Sequence, residues 1–171
     1  MYYGGEFTLS RPLAPEHLAY LEAFARTRRM KRSTSSELPD PTREAAGLPL
    51  GEEGGYFVGG QGFMGQDHDP SILDRNQPPV GQPGLWCQWT PNEDGSAIEW
   101  DGKEKFYDPA EWIAYLIEHF IVRWGYVLHG EVEWDDEGEF GLIRVVNNVV
   151  SEKQGRITYD VTEDDDDEEE P

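Results

Sequence analysis

Asp67-His68-Asp69 is the one short run in this sequence with metal-ligand chemistry. An imidazole and two carboxylates can hold a divalent ion if a loop folds them inward. Adjacent residues rarely converge on one ion, however, and Asp69-Pro70 is a common turn start, so a solvated turn is expected. The glycines of residues 59–66 (GGQGFMGQ) imitate a phosphate loop in composition only, because no Gly-Lys-Ser/Thr follows. Their expected role is backbone freedom around Phe63 and Met64. Cys87 lies between Trp86 and Trp89 in an expected strand, where a small buried hydrophobe is the simpler reading than a nucleophile without a base. His119 and His129 fall on successive elements, with neither a third ligand nor a nucleophile beside them. These residues assign no catalytic group, cofactor or metal.

Charge is the stronger signal. The chain carries 35 Asp and Glu against 14 Lys and Arg, a formal −21 at pH 7. Residues 160–170 hold nine acids and no base, and taking those nine away still leaves −12. Such a surface repels phosphate, which argues against direct nucleic-acid binding. It attracts a basic protein partner and speeds association with it at low salt. The candidate partner-binding residues are Glu131, Glu133, Asp135 and Asp136, with Asp165 and Glu168 in the acidic run. Glu131 and Glu133 alternate along one strand face, about 7 Å apart, a spacing near that of successive phosphates. Five of the 14 cations cluster at Arg26, Arg28, Arg29, Lys31 and Arg32, beyond an expected first helix. There they answer the negative end of the helix dipole, or form a docking patch or a counter-surface for the acidic run.

The element that must organise these residues is 108–125, DPAEWIAYLIEHFIVRWG. Asp108 is the expected N-cap, Pro109 fits the first helical position, and Gly125 suits the helix end. Trp112, Ile113, Leu116, Ile117, Phe120, Ile121 and Trp124 recur at helical spacing, so the helix is expected to lie across a sheet. An earlier helix opens at Pro15, with Leu18, Leu21, Phe24 and Ala25 as its buried stripe. Residues 6–10 read as a strand, and residues 85–100 as a hairpin around Asp94-Gly95. Strands are expected at 126–134 and 140–150, with an edge strand at 156–161 after a turn at 151–155. Residues 39–84 carry ten of the 19 Gly and seven of the 12 Pro, and read as a long, mostly ordered loop.

The sum is a single α+β domain over residues 1–160, with two helices on one face of a mostly antiparallel sheet and an acidic disordered tail at 161–171. The order β-α-β-β-α-β is that of the ferredoxin-like fold, here with an added C-terminal hairpin. One Cys permits no intrachain disulfide and suits a reducing, cytoplasmic setting. No basic-then-apolar leader opens the chain, and no apolar run is long enough to span a bilayer, so no membrane partner is expected.

The block from GLWCQWTPNEDGSAIEW through DPAEWIAYLIEHFIVRWG to HGEVEW, with FGLIRVVNNVV, resembles a group of small acidic hypothetical proteins from bacteria and mobile elements. The element order is similar, more loosely, to ferredoxin-like domains of plasmid and phage proteins. Neither resemblance carries an activity or a functional residue across. The leading expectation is a non-enzymatic acidic interaction protein that binds a basic partner, in its narrower form by imitating nucleic-acid charge to inhibit a nucleic-acid-binding or defence complex. The alternatives are an enzyme using Asp67, Asp69, Glu99 or Asp101 with a histidine between the long loop and the sheet, or an immunity or antitoxin protein. Surface-facing Trp residues would be binding anchors.

Overall fold

The computed structural model describes residues 1–35, 38–59 and 66–159. Its strands are β1 (Tyr2–Leu9), β2 (Lys31–Arg32), β3 (Ile72–Asp74), β4 (Trp89–Pro91), β5 (Ala97–Trp100), β6 (Leu128–Asp136), β7 (Glu139–Val146) and β8 (Val149–Gln154). Its helices are α1 (Pro15–Arg26), α2 (Pro41–Ala45) and α3 (Pro109–Leu116). Six strands form one sheet in the order β4-β5-β1-β6-β7-β8, with every neighbouring pair antiparallel. β2 and β3 make a separate pair. The chain is thus α+β with a mostly antiparallel sheet. No helix among the described residues is long and apolar enough to cross a membrane.

The alternation of side chains sorts the sheet into two faces. Tyr3, Phe7 and Leu9 of β1, Leu128 and Val132 of β6, and Ile143 and Val145 of β7 are buried. They share one core with Tyr20, Leu21 and Phe24 of α1 and Trp112, Ile113 and Leu116 of α3. The intervening residues Glu6, Thr8, Glu131, Glu133, Asp135 and Arg144 are exposed on the uncovered face. Gly130 sits opposite Phe7 with φ +149, and a Cβ there would stand 2.4 Å from the Glu6 carbonyl. Only glycine lets β1 and β6 pair that closely.

The helix at the centre of the sequence forms with a different cap and a different last turn. Asp108 takes a left-handed conformation, φ 53, and its carboxylate makes no capping bond. The first turn relies instead on Pro109, whose fixed φ suits it. Past Leu116 the helix widens into a π turn, Ile117–Ile121, where Val122 N–H donates to Ile117 O at 3.0 Å. Gly125 closes the helix at φ +77. Trp112, Ile113, Leu116, Ile117, Phe120 and Ile121 are buried as their spacing requires. Trp124 is half-buried, stacked on Phe120.

The expected strand at 140–150 is two strands. Asn147 and Asn148, at φ 47 and 65, make a tight left-handed turn between β7 and β8. Asparagine tolerates this region, which is why two of them can reverse the chain inside an otherwise β-rich run. β8 therefore occupies Val149–Gln154, where a turn was expected. The described residues after it, up to Tyr159, form no strand.

The cations after α1 are not a free basic patch. Arg29 is fully buried and donates to Gln82 Oε1 at 3.1 Å, Phe57 O at 2.9 Å and Gly55 O at 2.8 Å. Arg32 is buried over the Phe57 ring and reaches Ser71 Oγ at 3.0 Å and Asp69 at 3.6 Å. Lys31 pairs with Glu53 at 3.7 Å. Buried Asp40 accepts from the backbone N–H groups of Arg43 at 3.0 Å and Val58 at 2.9 Å. The long segment 39–84 is thus tied to the domain, through its described residues, by buried polar groups as well as by Ala46, Leu48 and Val58, which join the core.

Candidate functional site

The open face of the sheet gathers the acids of β6 with groups from three neighbouring strands. Register places Glu6, Glu131 and Arg144 in one cross-strand row. The next row holds Gly4, Glu133, Leu142 and Lys153, and the last holds Tyr2, Asp135 and Phe140. Directly opposed side chains have Cβ atoms about 4.5–5.5 Å apart, so each row is a contact set. Glu131 is ion-paired with Arg144 across the strands. Glu133 and Asp135 have no ion-pair partner among the described residues.

Two rings border the same trough as those carboxylates, each laid over a glycine that makes room for it. The Tyr2 ring leans over Gly4, where a Cβ would meet it at 2.9 Å. The Phe140 ring leans over Gly155, where a Cβ would meet it at 2.0 Å. Aromatic cover of strand glycines is a recurring way to fix register. The result is an open trough of about 640 Å³ whose walls include Tyr2, Phe140, Leu142 and Lys153, with Glu133 and Asp135 between them.

Of the expected contact residues, Glu131, Glu133 and Asp135 do share one exposed face. Asp136 does not. It has the opposite parity on β6 and pairs with the N-terminal ammonium at 3.3 Å. Asp165 and Glu168 lie outside the described residues. Tyr2, Phe140 and Leu142 did not emerge from sequence patterning, since only the register of β1, β6 and β7 puts them beside the acids. None of the six Trp supplies a fully exposed anchor: Trp89 and Trp112 are buried, and Trp86, Trp100, Trp124 and Trp134 are half-buried.

Among the described residues, the groups considered for catalysis do not assemble. Asp69 is engaged by Ser71, whose hydroxyl and N–H hold its carboxyl below the usual range, and by Arg32. The side chain of Asp67 and residues 60–65 of the glycine run lie outside the described residues. Asp101 binds Lys103 through its N–H at 2.9 Å and its ammonium at 3.2 Å. Glu99 faces Thr90 in the β4–β5 ladder. His119 sits on the covered side, bonded to Tyr56 Oη at 2.7 Å and stacked on Tyr115 at 4.1 Å, and burial lowers its pKa. His129 sits on the open side, accepting from Asn147 N–H at 3.2 Å, so the sheet separates the two histidines. Cys87 is wholly buried, and burial pushes its thiol up to about 12. Among the described residues no group of three or more His, Cys, Asp or Glu is placed to hold a metal ion.

No protein-family model, curated protein or solved structure matches this chain.

Proposed function

We propose that this is a non-enzymatic interaction protein that binds a basic protein partner through the open face of its sheet. The observation that carries this reading is the pair of carboxylates, Glu133 and Asp135, standing in an apolar trough; among the described residues no helix covers that face of the sheet and no cation pairs with either acid. Exposed carboxylates scattered on a surface steer association without selecting a partner. Carboxylates set among Tyr2, Phe140 and Leu142 add apolar surface that a partner can cover, the kind of contact that holds it once it has arrived. The pairing of Glu131 with Arg144 interrupts the row of negative charge. That favours a basic segment with apolar residues over plain imitation of a phosphate backbone. Inhibition of a nucleic-acid-binding or defence complex is the narrower form of the same reading.

We read the four-stranded nucleus as ferredoxin-like. Counting β1, β4, β5 and β6 as first to fourth, the spatial order fourth-first-third-second with helices in the two crossovers supports that reading. The β7–β8 hairpin then extends the sheet on the β6 side and supplies one wall of the trough. A lone buried Cys suits a reducing compartment such as the cytosol.

The test is affinity capture from cell extract at low and high salt, with the Glu133→Lys/Asp135→Lys double variant alongside. The expected result is a basic protein retained by the wild type at low salt, released at high salt and not retained by the variant. Retention that ignores both salt and charge reversal overturns the reading.

A further inference from the structure

We infer that the trough is a seat for a single arginine side chain of the partner, an inference that rests on the basic-partner reading above. Asp135 is the cross-strand partner of both Tyr2 on β1 and Phe140 on β7, and all three line the trough, so its carboxylate shares that space with two aromatic side chains. Glu133 is two residues along the same strand and faces the same way. A guanidinium fits this set better than any other common cation. Its flat faces stack on rings, and its forked N–H groups bond carboxylates in pairs. Its three methylenes have apolar wall to lie along, at Leu142 and Phe140.

The other charges on the face fix where that cation sits. Glu131 is engaged by Arg144, and Glu6 lies beyond it in the same row, outside the trough; Glu133 and Asp135 are the acids that line the trough, without an ion-pair partner among the described residues. Lys153 stands on the far wall, across β7 from Glu133. A bound cation is repelled from that side and held at the Tyr2 end, over Asp135.

Fluorescence anisotropy with a short fluorescein-labelled peptide carrying one central arginine tests this. Companion peptides carry lysine or citrulline in its place. Citrulline keeps the shape and loses the charge, and lysine keeps the charge and loses the plane. The arginine peptide is expected to bind about tenfold more tightly than the citrulline peptide, the scale of one charge-assisted hydrogen bond. Glu133→Gln/Asp135→Asn should abolish that preference, and Phe140→Leu should narrow the gap between arginine and lysine. Glu131→Gln, on the same face but outside the trough, should change affinity by less than about twofold. Equal binding of arginine and citrulline peptides overturns the inference. So does salt-sensitive arginine binding that survives Glu133→Gln/Asp135→Asn, which places the contact elsewhere on the acidic surface and leaves the basic-partner reading intact.

Discussion

The guanidinium of Arg29 donates from Nε to Oε1 of Gln82, 3.1 Å away in the buried interior, and so joins the residue just past α1 to the end of the long loop. Gln82 passes the link on, donating from Nε2 to Gly55 O at 2.6 Å and to Tyr115 Oη at 3.0 Å. A cation without a carboxylate beside it is costly to bury, and here three oxygen acceptors and the Phe24 ring at 4.0 Å offset the loss of water.

Arg29→Met keeps the length of the side chain and removes its donors. Phe57 O and Gln82 Oε1 then lose a partner, each worth about 1–3 kcal/mol, while removing a buried charge returns part of that. The expected loss is about 2–4 kcal/mol, read as a lower urea midpoint by circular dichroism. A midpoint equal to wild type would show that the loop is held by other contacts.

Asn147→Val tests the turn that divides β7 from β8. The native φ of 47 is left-handed, and a β-branched residue there costs about 1–2 kcal/mol. Asn147→Gly should be neutral or slightly stabilising, because glycine adopts this region freely. Asn148→Gly should cost stability by a second route without strain at its φ of 65, since its side chain accepts from Leu128 N–H at 2.7 Å and donates to Tyr126 O at 3.2 Å. Chemical denaturation of the three variants separates strain from lost hydrogen bonds.

Leu116→Ala reports on the helix that crosses the sheet. Leu116 is 2% exposed, so truncation should cost about 2–5 kcal/mol. A melting temperature within about a degree of wild type would refute its place in the core.

Stability should fall in alkali before the exposed surface titrates fully. Burial raises the Cys87 thiol from 9.0 to about 12 and the Tyr115 hydroxyl from 10.0 to about 12. Both are acids that ionise more easily in the unfolded chain. Their stabilising contribution is therefore complete below about pH 9 and is lost as the pH climbs towards 12. Urea midpoints should drop steadily over that window, and Cys87→Ala should remove the earlier part of the drop. Maleimide at neutral pH should label Cys87 only on unfolding, and prompt labelling of the native protein would contradict its burial.

The sequence by itself determined the α+β class, the apolar stripe of α3, the hairpin at Asp94-Gly95 and the acidic character of β6. Each of these is local: a period, a turn pair or a charge alternation is decided within a few residues of chain. The misreadings were local too. The run 140–150 looked like one strand because β-propensity outweighed two asparagines whose left-handed conformation is visible only in the folded backbone. The arginines after α1 looked like a surface patch because nothing in their spacing announces carbonyl partners that lie 26 to 53 residues away. The trough was beyond reach for the same reason. Tyr2, Asp135 and Phe140 come from three strands and meet only through the register of β1 on β6 and of β6 on β7, which joins residue 2 to residues more than a hundred positions away. Period-2 alternation shows that Glu133 and Asp135 share a face, but backbone pairing alone decides that Tyr2 and Phe140 oppose Asp135 and that Gly4 and Leu142 oppose Glu133.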